Sequence, residues 1–331
     1  MKRLAIIGGG AWGTALAIVL APRFERVHLW VYEVDVAQRL QAHRENDTYL
    51  PGFQVPEKVL VTSDLAVALE GTEVVISVMP SHHVRRVYAQ MLPSLTESMI
   101  FVSATKGLEV GTILLMSEVI RSAGGHFSMQ VVTLSGPTFA KEVARGEPTA
   151  LVVASTDDDL NRRIQAAFSG PTFRLYTSPD PIGVEIGGSI KNVIAIGAGV
   201  IHGMGFGHNV TAALITRGLA EITRLAVAMG GRAQTLSGLA GLGDLVLTCT
   251  GELSRNRMVG IELARGRKLG EIVGSMKMVA EGIKTTDAAV ELARRFGVEM
   301  PITEQMYQML YHGVAPQEAI QRLMERSLKG E

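Results

Sequence analysis

Residues 4–33 constrain the fold more tightly than any other stretch of the chain. Leu4–Ile7 is an apolar run of strand length. Gly8, Gly10 and Gly13 follow at G-x-G-x-x-G spacing, Thr14–Leu20 has helical character, and Val27–Val31 is a second strand-like run. Glu33 stands about 20 residues beyond Gly13, where an acid at the end of a second strand is expected. Each part has a separate physical job. Gly8 permits a tight turn, Gly10 lets the backbone approach a pyrophosphate, and Gly13 lets helix and strand pack closely. A helix N-terminus offers unpaired N–H groups and a positive dipole end to phosphate. A carboxylate at Glu33 can accept hydrogen bonds from a ribose diol. The unit is therefore expected to bind a dinucleotide.

A second reading of the N-terminus is a secretory signal, because Lys2 and Arg3 precede an uncharged stretch over 4–22. Three consecutive glycines interrupt that stretch, and it runs directly into another strand-like segment. Both features argue against a signal.

The chain has 331 residues, a length that suggests about two domains. Lys+Arg and Asp+Glu balance at 32 each, so the overall charge carries no nucleic-acid footprint. Cys249 is the single cysteine, which rules out an internal disulfide and suits a reducing cytoplasm. It has no C-x-x-C partner and the histidines form no H-x-x-x-H pair, so no metal site is expected. Beyond the N-terminal stretch, no segment is expected to span a membrane.

Strand-like runs at 4–7, 27–31, 59–62, 73–78, 99–103, 130–134, 149–154 and 172–176 alternate with helical patterns at 35–43, 63–70, 81–91, 112–121 and 157–168. Such alternation predicts a parallel sheet with helices on both faces. From about Glu185 the strand signal fades. Residues 185–201, 209–229, 255–264, 282–297 and 302–311 have helical length and spacing, and Pro179 and Pro181 mark the change. The fold class is therefore α/β: a Rossmann-type doubly wound sheet over 1–184, then an all-helical, substrate-binding domain over 185–331.

Three polar segments stand out. Ser103–Gly107 follows a strand, which would set Lys106 at the carboxyl end of the sheet where ligands bind; a plain surface lysine is the alternative. Lys191 lies in the apolar helix around Ile190, Val193, Ile194 and Ile196. Lysine is seldom buried, and burial lowers its pKa toward values useful for proton transfer. A lysine whose ammonium reaches out to water is the competing reading. Asp244 is the sole charge between Arg232 and Glu252, so it needs a partner, and Thr248 falls one helical turn later on the same face. Ser254 reads as an N-cap. Arg255 and Asn256 then fall in the first turn of a helix, where backbone N–H groups and a guanidinium fork suit phosphate. A capped helix with solvated arginines is the bland reading. Together the segments suggest hydride transfer on a small phosphorylated substrate.

With these segments the sequence resembles bacterial-type NAD(P)-dependent glycerol-3-phosphate dehydrogenases over roughly residues 4–311. The resemblance is carried by GGGAWGTALA (8–17), NDTYLPG (46–52), SATKGLE (103–109), SGPTFAKEV (135–143), IKNVIAIGAGV (190–200), AALITRGLAE (212–221), GLAGLGDLVLTCT (238–250), SRNR (254–257) and AEG (280–282). It implies reversible reduction of dihydroxyacetone phosphate to sn-glycerol 3-phosphate, a phospholipid precursor. Lys191 would be the general acid/base, with Lys106 and Asp244 also catalytic. Lys106, Gly136, Thr138, Lys191, Asn192, Asp244, Thr248, Ser254, Arg255 and Asn256 would meet substrate. Gly8, Gly10, Ala11, Trp12, Gly13, Glu33, Lys106, Ala140, Arg255, Val279 and Glu281 would border the dinucleotide. The resemblance also implies a homodimer.

Two departures matter. Members of the family often carry arginine or histidine near the end of the second strand, where an adenosine 2′-phosphate binds; this chain has Tyr32 and Glu33. A carboxylate there favours NAD(H), with NADP(H) still possible. His202 and His208 stand where aspartates are common, in a glycine-rich joint read as structural. Two other functions share parts of this pattern: a β-hydroxyacid dehydrogenase acting on a carboxylate, and a non-enzymatic NAD(H) sensor. The phosphate-type start at Ser254 argues against the first. The presence of both Lys191 and Asp244 argues against the second.

Overall fold

The apolar runs of the first half become strands β1 (Arg3–Ile7), β2 (Arg26–Trp30), β3 (Glu45–Asn46), β4 (Leu50–Gln54), β5 (Val59–Thr62), β6 (Val74–Ser77), β7 (Ile100–Ser103), β8 (Gln130–Ser135), β9 (Thr149–Ala154) and β10 (Phe173–Ser178) in a computed structural model of the chain. The structure describes every residue except His126, Lys277, Lys329 and Glu331. The chain divides into two compact units. One comprises Met1–Lys106 and Leu114–Glu185, the other Gly107–Ile113 and Ile186–Glu331.

In the first unit, eight strands form one sheet in the order β10-β9-β8-β7-β6-β1-β2-β5. After β1 the chain builds outward through β2 and β5, then returns to β6 and builds the other way. The order reverses between β1 and β6, which is where an open α/β sheet leaves a ligand crevice beyond its strand ends. Alternating side chains serve two cores. Leu4 and Ile6 pack with Leu16, Leu20 and Leu40 on one face, while Ala5 and Ile7 pack with Val84, Tyr88 and Val119 on the other.

The sheet departs from the expected all-parallel pattern at one pairing. β8 and β9 run antiparallel, with Ser135 opposite Val152, so β9 and β10 oppose the rest. The connection at 136–148 holds only the short helix Ala140–Ala144, and antiparallel neighbours need no long crossover. A second difference is the start of the helix expected at 112–121. It spans Met116–Ala123, because Gly111 and Ile113 hold φ of 90° and 55°, outside the right-handed helical region. The third is the small β3–β4 hairpin, whose turn residues hide its strand character; Pro51 is tolerated in so short an edge.

The second unit is helical. The long helix Pro181–Gly203, whose N-terminal residues belong to the first unit, is apolar and long enough to cross a membrane by composition, yet it is buried within the protein. His208–Ala228, Arg255–Ala264, Glu281–Arg295 and Pro301–His312 follow, with shorter helices between them. Glycines let backbones touch. A Cβ on Gly199 would strike the Arg257 carbonyl, and one on Gly260 would strike that of Ile196. Gly187 and Gly282 stand in the same relation to the carbonyls of Ala240 and Asn192, each 2.6 Å from the position of such a Cβ. The helix bearing Lys191 is therefore held by main-chain contacts at several points along its length.

Candidate active site

The candidate residues fall into two sets, one in each unit. In the first unit, Gly8 adopts φ of 130°, and a Cβ there would lie 2.5 Å from the Val78 carbonyl oxygen. A Cβ on Gly13 would collide with the carbonyl of Gly8, while the equivalent point on Gly10 has nothing within 4 Å. Gly8 and Gly13 thus close the turn, and Gly10 leaves open space against bare backbone. The ten-residue helix Ala11–Leu20 starts there with no side-chain cap and no acid in its first turn. Its leading N–H groups are left for an anion, so the residues present fit a dinucleotide pyrophosphate. Ala11 and Trp12, both half-buried, form that first turn.

Glu33 follows β2 and precedes the helix Val34–His43. Its Oε1 accepts a hydrogen bond of 2.9 Å from the Tyr49 hydroxyl. Lys106 lies just beyond β7, and its Nζ donates to the Gly136 carbonyl at 3.0 Å and to Thr138 Oγ1 at 3.5 Å. Gly136 leaves β8 with φ of 150°, a conformation that glycine accepts readily. Ala140 begins the next short helix. The structure thus groups Lys106, Gly136 and Thr138 beyond two neighbouring strands.

In the second unit, Lys191 is buried in the long helix and Asp244 is fully buried. Lys191 Nζ donates to Asp244 Oδ1 and, at 2.7 Å, to Thr248 Oγ1. The Thr248 hydroxyl donates its own proton to the Asp244 carbonyl at 2.6 Å. It can therefore meet Lys191 only as an acceptor. Asp244 opens the helix Asp244–Thr250 directly after a π-helical turn, Leu239–Gly243. Wide turns of this kind recur at functional sites.

Next to Lys191, Asn192 Oδ1 accepts from Asn256 Nδ2 at 2.9 Å, and Asn256 Oδ1 accepts from the Gly282 backbone N–H at 2.9 Å. A main-chain N–H can only donate, so it fixes the orientation of both amides. The Asn192 NH2 group is thereby assigned as the donor at the other end of this hydrogen-bonded chain. Ser254 caps the helix Arg255–Ala264, its Oγ accepting from the Arg257 N–H at 3.2 Å. Arg255 is exposed and donates to the Val279 carbonyl at 2.8 Å, with the Glu281 carboxylate in electrostatic reach. His202 and His208 are exposed at the ends of their helices.

Cys249 is buried beside this group. Desolvation pushes its thiol up to about 12, against the opposing pull of Lys191 and Arg257. The native protein should therefore resist iodoacetamide at pH 8, with one adduct appearing only on unfolding. Intact-mass measurement checks this, and rapid native labelling would contradict the burial.

The family models of the NAD-dependent glycerol-3-phosphate dehydrogenase N-terminus and C-terminus match residues 3–161 and 180–321. The chain belongs to the NAD-dependent glycerol-3-phosphate dehydrogenase family. It is 58% identical over 329 residues to the glycerol-3-phosphate dehydrogenase [NAD(P)+] of Koribacter versatilis, covering 98% of each chain. It is 52% identical over 331 residues to that of Citrifermentans bemidjiense, covering 100% of this chain and 99% of the relative. Among solved structures, the glycerol-3-phosphate dehydrogenase of Coxiella burnetii superposes with a TM-score of 0.94 at 41% identity, covering 98% of this chain and 99% of the other. The segments GLAGLGD (238–244) and SRNR (254–257) both lie within the stretch that the C-terminal family model matches. In this member they become the π-turn with Asp244 and the capped helix with Arg255.

Proposed function

We propose that the protein reduces dihydroxyacetone phosphate to sn-glycerol 3-phosphate reversibly, with a nicotinamide dinucleotide as hydride carrier. The observation that carries this reading is the buried Lys191 ammonium held by Asp244 and Thr248, in a member of this family. A bound nicotinamide supplies or accepts a hydride at substrate C2. Lys191 gives its proton to the oxygen on that carbon during reduction and takes it back during oxidation. Asp244 and Thr248 hold Nζ on a fixed line, which removes the entropy of searching for the reactive geometry. The Asn192 NH2 group is a second donor for the developing oxyanion, aimed by Asn256 and Gly282.

Phosphate is proposed to sit at the start of the helix Arg255–Ala264, on its first N–H groups and the Arg255 guanidinium. Binding energy gathered there, away from C2, can serve to orient the carbonyl. Lys106, Gly136 and Thr138 complete the substrate contacts. Gly8, Gly10, Ala11, Trp12, Gly13, Ala140, Val279 and Glu281 border the dinucleotide. Glu33 accepts from the ribose hydroxyls and repels a 2′-phosphate, so NADH is the favoured carrier. The family resemblance supports a homodimer, and balanced charge with one buried thiol supports a cytoplasmic setting.

Initial rates with dihydroxyacetone phosphate, comparing NADH with NADPH, test substrate and carrier together. Turnover with a higher kcat/KM for NADH is expected. Turnover of 3-hydroxy acids in place of the phosphorylated ketone would return the carboxylate reading. Coenzyme binding without any turnover would return the sensor.

A further inference from the structure

The segment Asn46–Tyr49 plays no part in the mechanism above, yet it ties the glycine turn to Glu33. Asn46 is fully buried. Its Nδ2 donates to the Gly9 carbonyl and to Thr14 Oγ1, both at 2.8 Å. Its Oδ1 accepts from the Tyr49 backbone N–H at 3.1 Å. The Tyr49 hydroxyl in turn donates to Glu33 Oε1 at 2.9 Å. One buried amide thus fixes the distance between the pyrophosphate turn and the carboxylate at the end of β2.

The charges around Glu33 complete the arrangement. Arg39, on the helix that Glu33 opens, already meets two carboxylates and a hydroxyl: Nη1 bonds Asp35 at 2.8 Å, Nε bonds Asp47 at 3.1 Å and Nη2 bonds Thr48 at 2.9 Å. Its charge is offset by the Asp35 and Asp47 carboxylates, which weakens its pull on a phosphate. Arg86 lies 5.6 Å from the centroid of the exposed Tyr32 ring and keeps a positive charge on that side. Discrimination against a 2′-phosphate is therefore a ratio of affinities, not an exclusion.

We propose that Tyr49 is a specificity-determining positioning residue: held by Asn46, it fixes the Glu33 carboxylate against a 2′-phosphate and toward a free ribose diol. The proposal rests on the reading of residues 8–33 as a dinucleotide site that favours NADH. A carboxylate free to rotate would swing away from an approaching phosphate and relieve the repulsion. A carboxylate pinned through Oε1 cannot. The Tyr49 phenol is pushed up to about 12 by burial and by Glu33, so it stays a donor through the neutral range.

Isothermal titration of the wild type, Tyr49→Phe, Glu33→Gln and the double variant with NADH and with NADPH tests this. The wild-type ratio of Kd for NADPH to Kd for NADH should exceed one. Tyr49→Phe should lower it about tenfold, the scale of one hydrogen bond to a charged group. Glu33→Gln should lower it at least as far, and adding Tyr49→Phe to Glu33→Gln should change it no further. An unchanged ratio in Tyr49→Phe, with NADH still bound and the unfolding temperature kept, overturns the proposal. So does an equal effect of Tyr49→Phe with and without the Glu33 charge. A wild type that binds neither coenzyme removes the dinucleotide reading itself, and one that binds NADPH more tightly removes the role given to Glu33.

Discussion

Replacing Lys191 with alanine should lower kcat for dihydroxyacetone phosphate reduction by about 10²–10⁴-fold, the range set by loss of a positioned proton donor. The Kd for NADH should be unchanged, because Lys191 is not among the residues assigned to the dinucleotide. The same substitution strips a fully buried carboxylate, Asp244, of its ammonium partner. Breaking a buried pair from one side costs about 3–5 kcal/mol, so the variant should also unfold at a lower temperature. Lys191→Arg separates the two effects. Arginine keeps a cation against Asp244 but does not release its proton at any working pH. Its stability should move back toward wild type while kcat stays low. A kcat that survives Lys191→Ala would remove Lys191 from the reaction.

Gly260→Val should unfold the second unit outright or cost more than about 4 kcal/mol, a magnitude reserved for a few mechanisms. The mechanism here is backbone collision. A Cβ at Gly260 would strike the Ile196 carbonyl and lie 2.7 Å from the Val200 nitrogen, and neither can turn away as a side chain can. Gly270→Ala is the matching control. Gly270 lies in the helix Leu269–Ser275, and a Cβ there meets nothing within 4 Å. Alanine should stabilise that helix by up to about 1 kcal/mol. Thermal unfolding of the two variants checks both signs. A Gly260→Val protein that melts with the wild type would mean that these helices can part without cost.

Local patterns in the sequence led directly to local structure. All eight strands of the large sheet fall within two residues of their expected ends, because short valine- and isoleucine-rich runs between turns have few other uses. Four-residue spacing placed Thr248 over Asp244, and the two are hydrogen-bonded. The isolation of Asp244 demanded a partner, and Lys191 supplies it. What escaped was non-local or conformational. Positive φ at Gly111 and Ile113 delays a helix that spacing alone would begin earlier. The contact of Asn256 with Asn192 joins residues on different helices, far apart in the chain, and no periodicity announces it. Tyr49 had one signal, its place inside NDTYLPG, but a motif does not say which carboxylate its hydroxyl will meet.

The glycine contacts along the helix Pro181–Gly203 bear on how such a protein can drift in sequence. Where helices pack through side chains, each exchange of leucine for valine moves the axes slightly, and a reactive group borne on them wanders. Here the axis is registered against neighbouring main chain at Gly187, Gly199, Gly260 and Gly282. Side chains lining the rest of the bundle can change while the Cα of Lys191 stays in place. Mutational tolerance in this unit should therefore be sharply uneven: broad across its apolar positions, and almost absent at four residues that have no side chain.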